Sequence, residues 1–299
     1  MRVIIGADLG GTNIVVGAVP EDGSRVYALA SERTPVQQGA EAVVQVIVRM
    51  IGACVEGTRR EAPGAEVAGV GVGAPGPLDT KRGIVIFAPN RTWRNMPLRD
   101  RIADAVQLPS TLDNDANCAV FGEWWQGAAR GARFVVGLTI GTGVGGGIVL
   151  DGQLFHGASD VAGEMGRTSI DLNGRRCKCG NYGCIEAYAS GPAIAARAVE
   201  GLQAGATSRL AQYVNGNLTA IDAQVVYQAS RDGDAFAQEI CGGVTLAGEQ
   251  LFAPLREEVR RRAFEPAVAA CRIVPGALTG TAGVYGAAAT FKVQRWGQV

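Results

Sequence analysis

The sequence RVIIGADLGGTNIVVGAV, residues 2–19, sets two apolar, β-branched runs (2–7 and 14–19) on either side of the turn DLGGTN (8–13). Runs rich in valine and isoleucine, joined by a short glycine connection, predict a β-hairpin. The arrangement returns at residues 134–152, FVVGLTIGTGVGGGIVLDG: strand, glycine turn containing a threonine, strand. Between the two, apolar residues recur three and four apart at Val43, Ile47, Met50, Ile51 and Cys54, which predicts an amphipathic helix over 40–55. A buried strand is expected at 67–73. A short strand ending in carboxylates is expected at 110–115, with a helix from about 116 to 128. Further helices are expected at 192–203, 222–230, 248–263 and 283–292. Strands alternating with helices indicate an α/β protein, and the pattern places a lobe boundary near residues 116–133.

The 43 glycines gather in 8–13, 69–77 and 140–148, as expected of tight turns and of backbone brought close to a ligand. GTGVGG (141–146) matches G-x-G-x-x-G, but a strand follows it. A dinucleotide fingerprint needs a helix there, so that its N-terminus can face the pyrophosphate. No G-x-x-x-x-G-K-[ST] loop is present. What remains is a pair of hairpins offering backbone N–H groups and hydroxyls to phosphate. Asp8, just before the first turn, is placed to hold a hydrated Mg²⁺. Thr12 and Asn13 supply donors beside Gly10 and Gly11, and Thr142 and Gly143 do the same at the second turn. The expectation is an ATP clamp.

Composition narrows the alternatives. The 299 residues are 47% hydrophobic and 19% charged, ordinary for a globular protein with room for two domains. The 28 basic and 28 acidic residues balance, which argues against nucleic acid as a partner. The N-terminus does not read as a signal peptide and no apolar run reads as a membrane span. Seven cysteines, three of them crowded into 177–184, favour a reduced, cytoplasmic setting.

DLGGTN (8–13), GAPGPLD (73–79), APN (88–90), LDNDANCAVFGE (112–123), LTIGTGVGGGIV (138–149), AGEMG (162–166) and CKCGNYGCIEAYASG (177–191) occur in this order along nearly the whole chain. Together they closely resemble the ROK family of bacterial sugar kinases and repressors, in the actin-like ATPase superfamily. The resemblance implies a two-lobed α/β fold (ribonuclease H-like) with its active site in the interlobe cleft. It implies a first lobe of residues 1–117, joined by a C-terminal helix at about 283–299, and a second lobe of 118–282. It also implies ATP-dependent phosphorylation of a hexose and a homodimer. APNRTWRNMPL (88–98) resembles the glucokinase members, which makes glucose the expected substrate. Fructose, mannose, N-acetylglucosamine and N-acetylmannosamine are the alternatives.

With one histidine in the chain, a carboxylate is the expected general base for the sugar hydroxyl. Asp113 and Asp115 flank Asn114. The resemblance assigns the base to Asp115 and sugar contacts to Asn114, Glu164, Glu186, Asn90 and the Gly76 turn. Asp115 as the cap of the following helix is the structural alternative.

Cys177, Cys179 and Cys184 have metal-ligand spacing. In the family, the resemblance implies, zinc takes three cysteines and a histidine three residues after the glutamate of the AGE motif. Here that position is Arg167, which stays protonated and cannot ligate. Three thiolates with water or another side chain, including His156, or reduced cysteines without metal, are the open readings. A second departure lies before Cys241-Gly242-Gly243, where the family has a helix and an apolar strand; on the order of 20–25 residues are missing. A sugar-binding protein without turnover is therefore one rival. A DNA-binding repressor is another, and the absence of a winged helix ahead of the first hairpin disfavours it.

Overall fold

The computed structural model describes residues 1–88, 93–240 and 249–299, apart from the side chain of Gln250. The chain forms two compact units: Met1–Thr139 with Gly146–Glu164 and Gly276–Val299, and Ile140–Gly145 with Met165–Pro275.

In the first unit, β1 (Arg2–Leu9) and β2 (Asn13–Pro20) form the expected hairpin, with Val3 opposite Pro20 and Leu9 opposite Ile14. β3 (Tyr27–Arg33) continues the sheet antiparallel to β2; α1 (Gly39–Glu61) then returns the chain to β4 (Glu66–Ala74), parallel to β1. Three short antiparallel strands follow: β5 (Leu78–Asp79), β6 (Ile84–Ala88) and β7 (Trp93–Met96). After α2 (Leu98–Val106), β8 (Ser110–Asn114) joins β4 in parallel, and the main sheet has the order β3-β2-β1-β4-β8. The three short strands escape the sequence pattern because none is long enough to show a period.

Alternation along β1 splits its side chains between two cores. Val3, Ile5, Ala7 and Leu9 pack with Val43, Ile47, Met50, Ile51 and Cys54 of α1. Ile4 faces the other way, onto Val284, Tyr285, Ala288 and Phe291 of the C-terminal helix (Ala282–Trp296). Each fully buried isoleucine contributes about 1.5–3 kcal/mol. The helix lies so close to the sheet that a Cβ on Gly6 or Gly71 would strike the carbonyl oxygens of Val284 or Ala287. By length and composition alone, Val36–Glu61 is long and apolar enough to cross a membrane, contrary to the expectation that no run would be. One face of α1 is nevertheless committed to the core of this unit.

α3 (Asp115–Gln126) follows β8 directly and packs on the C-terminal helix, with Gly286 against the Cys118 carbonyl. β9 (Phe134–Ile140), β10 (Val144–Leu150) and β11 (Gln153–Leu154) form a second sheet in the order β11-β10-β9. Among the described residues β9 is its edge, and Phe134, Val136 and Leu138 are exposed.

The second unit is mainly helical: α4 (Glu186–Ala189), α5 (Gly191–Gln203), α6 (Leu210–Tyr213), α7 (Ala223–Arg231), α8 (Ala235–Ile240), α9 (Glu249–Arg262) and α10 (Glu265–Ala270). Ile194, Ala198, Leu210, Val226, Ala229 and Ile240 form its core. The Cys241-Gly242-Gly243 turn lies outside the described residues.

Candidate active site

The first glycine turn is held by its neighbour strand. Thr34 donates its hydroxyl to the Gly10 carbonyl (3.0 Å) and its N–H to the Thr12 carbonyl (2.8 Å). Gly11, Thr12 and Asn13 are exposed, and Gly11 and Thr12 line a hollow of about 390 Å³ with Arg33, Thr34 and Pro35. Asp8 sits at the end of β1 with its carboxylate against Gly283, in the first turn of the C-terminal helix. Burial, and secondarily the charge of Asp115, push its pKa up to about 7. A buried acid facing a second acid is a setting that a divalent cation relieves, so Asp8 fits the Mg²⁺ role expected of it.

β8 ends in Asp113, Asn114 and Asp115. The helix cap is Asn114, not Asp115: its Oδ1 accepts from Ala116 N (2.9 Å) and Asn117 N (3.1 Å). An extended residue one position before the first helical one is where a side-chain oxygen reaches the free N–H groups. Asp115 Oδ1 accepts from Ala116 N at 2.9 Å. Asp113 is fully buried and accepts from Asn114 N (2.8 Å), Asn117 Nδ2 (3.2 Å) and His156 Nε2 (2.9 Å to Oδ2). The only histidine is thus engaged with a carboxylate, whose hydrogen bond holds its pKa above the ordinary value.

His156 opens a closed loop, residues 155–164, that ends at Glu164. Ala162 N donates to the His156 carbonyl (3.1 Å), and Asp160 Oδ2 accepts from both Thr80 N and Thr80 Oγ1 (3.0 Å each). Gly76, also named as a sugar-site residue, has φ +99° and lies against the Phe87 carbonyl, which leaves no room for a side chain. Asn90 lies outside the described residues.

In the second unit, the turn bearing Thr142 and Gly143 rests on Glu186. Val144 N donates to Glu186 Oε2 (3.0 Å), and Gly191 N donates to the Gly141 carbonyl (2.8 Å). Glu186 Oε1 stands 4.0 Å from Cys177 Sγ and 3.9 Å from Arg167 Nη1. The Sγ atoms of Cys177, Cys179 and Cys184 all lie within 4.8 Å of one another. A tight turn forms this knuckle, with Gly180 N donating to the Cys177 carbonyl (3.0 Å) and Cys177 N to the Asn181 carbonyl (2.8 Å). The Cys179 thiol is pulled down to about 7, chiefly by the Asn181 N–H, with Arg167 among the other contributors. The three sulfurs fit three corners of a tetrahedron; among the described residues no histidine, aspartate, glutamate or further cysteine joins them.

The structure therefore brings Asp8, Asn114 and Asp115 together in one unit, and Gly143, Glu186 and the cysteines in the other. The His156–Asp113 and Asp160–Thr80 contacts were missed, because partners 43 and 80 residues apart leave no local spacing to read.

A family model described as ROK family matches residues 4–294. The glucokinase of Thermotoga maritima is 37% identical in an alignment of 316 positions, covering 97% of this chain and 97% of that protein. That alignment is longer than the 299-residue chain, so the relative carries residues that this chain lacks. A ROK family glucokinase from Streptomyces griseus, solved with glucose and AMPPNP, superimposes with a TM-score of 0.78 at 34% identity, covering 96% of this chain and 98% of its own. A ROK hexokinase from Thermus thermophilus gives 0.70 at 28% identity, covering 98% and 99%. These neighbours have the actin-like ATPase fold, and the α/β chain shares it. Matched from residue 4 to residue 294, the chain belongs to the ROK family.

Proposed function

We propose that the protein is a glucokinase, which transfers the γ-phosphoryl group of ATP to the 6-hydroxyl of glucose and releases ADP. The observation that carries this reading is the 37% identity to a glucokinase along 97% of both chains.

Asp115 receives the hydroxyl proton as the sugar oxygen bonds to the γ-phosphorus and the bond to the β-phosphate oxygen breaks. Asn114, Asn90, Glu164, Glu186 and the Gly76 turn orient the sugar. The amide of Asn114 keeps its N–H₂ for a hydroxyl, since its oxygen already caps α3. Gly10, Gly11, Thr12 and Asn13, with Thr142 and Gly143, offer N–H and hydroxyl donors to the nucleotide phosphates. Mg²⁺, held through Asp8, neutralises charge on those phosphates when bound.

The three cysteines would hold a structural zinc ion as thiolates. Zinc with three thiolates carries a net negative charge, and the Arg167 guanidinium beside Cys179 offsets it. The enzyme works as a cytoplasmic homodimer; six free cysteines among the described residues accord with a reducing compartment.

A sugar-binding protein without turnover is a second reading, favoured by Arg167 in place of a histidine. An ADP-coupled assay with glucose, fructose, mannose, N-acetylglucosamine and N-acetylmannosamine decides between the two. ADP formation with glucose supports the kinase; glucose binding by calorimetry with no ADP from any sugar supports the binder.

A further inference from the structure

The loop of residues 155–164 is fastened at two points to parts of the first unit that carry sugar-site residues. At its start, His156 Nε2 contacts both oxygens of Asp113 (2.9 and 3.1 Å), the residue immediately before Asn114 and Asp115. At its middle, Asp160 takes both donors of Thr80, in the turn between β5 and β6. Asp160 holds this position with φ +59°, a conformation most side chains avoid. The loop is also pinned along its length: Phe155 N donates to the Ile148 carbonyl (2.9 Å), and Gly163 packs on the Gly146 carbonyl and Asn117 Oδ1. Glu164 is the next residue.

We propose that His156 and Asp160 are positioning residues of the sugar site, two clasps that set Glu164 against the Asn114–Asp115 strand end before the sugar arrives. This rests on the reading of the protein as a hexose kinase. The argument is one of mechanical constraint. A short loop tied at its start and middle, with Gly163 packed tightly just before Glu164, has few ways to present its last residue, and a displacement of about 1 Å at a reacting centre can cost about 100-fold in rate.

Both clasps are charge-assisted, since each acceptor is a carboxylate; the His156 clasp is the better shielded from water, because Asp113 is fully buried and Asp160 only partly so. The groups facing the imidazole are Asp113 from β8, Asp160 from its own loop and the Leu154 carbonyl. On the far side of Asp113, Asn117 of α3 and Gln294 of the C-terminal helix are neutral amides.

Because the chain has one histidine, ¹³C-labelling of its imidazole gives a single resonance, read in the intact protein without any substitution. The expected result is titration above the ordinary histidine value and a shift of the resonance on adding glucose. The kinetic arm compares His156→Ala with His156→Gln, and Asp160→Ala with Asp160→Asn. The alanine variants should raise KM for glucose about 10-fold while KM for ATP holds, and the amide variants should recover most of it. An imidazole unmoved by glucose, together with alanine variants that keep the wild-type KM, overturns the proposal and leaves the kinase reading intact. A glucose-dependent shift without ADP formation in the wild type overturns the kinase reading and leaves the clasps standing.

Discussion

Glu186 Oε2 accepts the backbone N–H of Val144 at 3.0 Å, while its Oε1 lies 4.0 Å from Cys177 Sγ. One carboxylate thereby joins the second glycine turn to the cysteine knuckle. The residue expected to bind sugar also braces a turn expected to bind phosphate.

Substitution of Glu186 separates those duties. Glu186→Gln keeps an acceptor for Val144 N, so KM for ATP should hold while KM for glucose rises. Glu186→Ala loses the brace, and both constants should rise, glucose by about 10- to 100-fold for a lost charged hydrogen bond. Steady-state kinetics with each substrate varied in turn measures the split. Equal effects of the two variants on KM for ATP would refute the brace.

Asp115→Asn retains the shape of the strand end and removes the proposed base. A fall in kcat of about 10²- to 10⁴-fold is expected, with glucose affinity by calorimetry nearly unchanged. Loss of binding without loss of turnover per bound sugar would contradict the role.

Burial, and secondarily the charge of Asp115, raise the Asp8 carboxyl from its ordinary 3.8 to about 7 in the folded chain. A raised carboxyl pKa means that the unfolded chain ionises first. Folding stability therefore declines as pH rises from about 4 to about 7 and stays lowered above it. The full penalty is on the order of 4 kcal/mol. Asp8→Asn should be more stable than wild type, by a margin that widens between pH 4 and 7 and is flat at higher pH, while its ATP-dependent turnover falls. Thermal melts across that range without Mg²⁺ test the sign.

His156 acts in the same direction by the opposite chemistry. Its folded pKa lies above the usual 6.5 because Asp113 favours the imidazolium. That stabilisation is complete below the unfolded value and disappears as pH rises through the folded one. Melts of wild type and His156→Gln should converge as pH rises from 6 toward 9. Curves that stay parallel would show that the pair adds nothing.

Arg167→His supplies a nitrogen as fourth donor next to the three sulfurs of the cysteine knuckle. Zinc affinity, measured by competition with a chromogenic chelator, should rise about 10- to 100-fold over wild type. An unchanged affinity would mean that residue 167 does not reach the metal.

Residues whose partners are near in sequence were readable without coordinates. The β1–β2 hairpin follows from two β-branched runs and one glycine turn, and the cysteine knuckle follows from spacings of two and five. Helix α1 follows from a three-and-four apolar period, since it buries a single stripe. Resemblance to a family supplied the expectation that Asp115 is the base, which spacing alone left open between base and cap.

Folding in three dimensions settled other matters. Asn114 took the cap because its backbone is the last extended one before α3, a conformational fact that the triplet Asp113-Asn114-Asp115 does not reveal. His156, weighed as a metal ligand, went to Asp113 because a buried carboxylate needs donors and the imidazole is the one that the 155–164 loop delivers. Local periodicity records which face of a segment avoids water; it carries no record of which distant segment comes to meet that face.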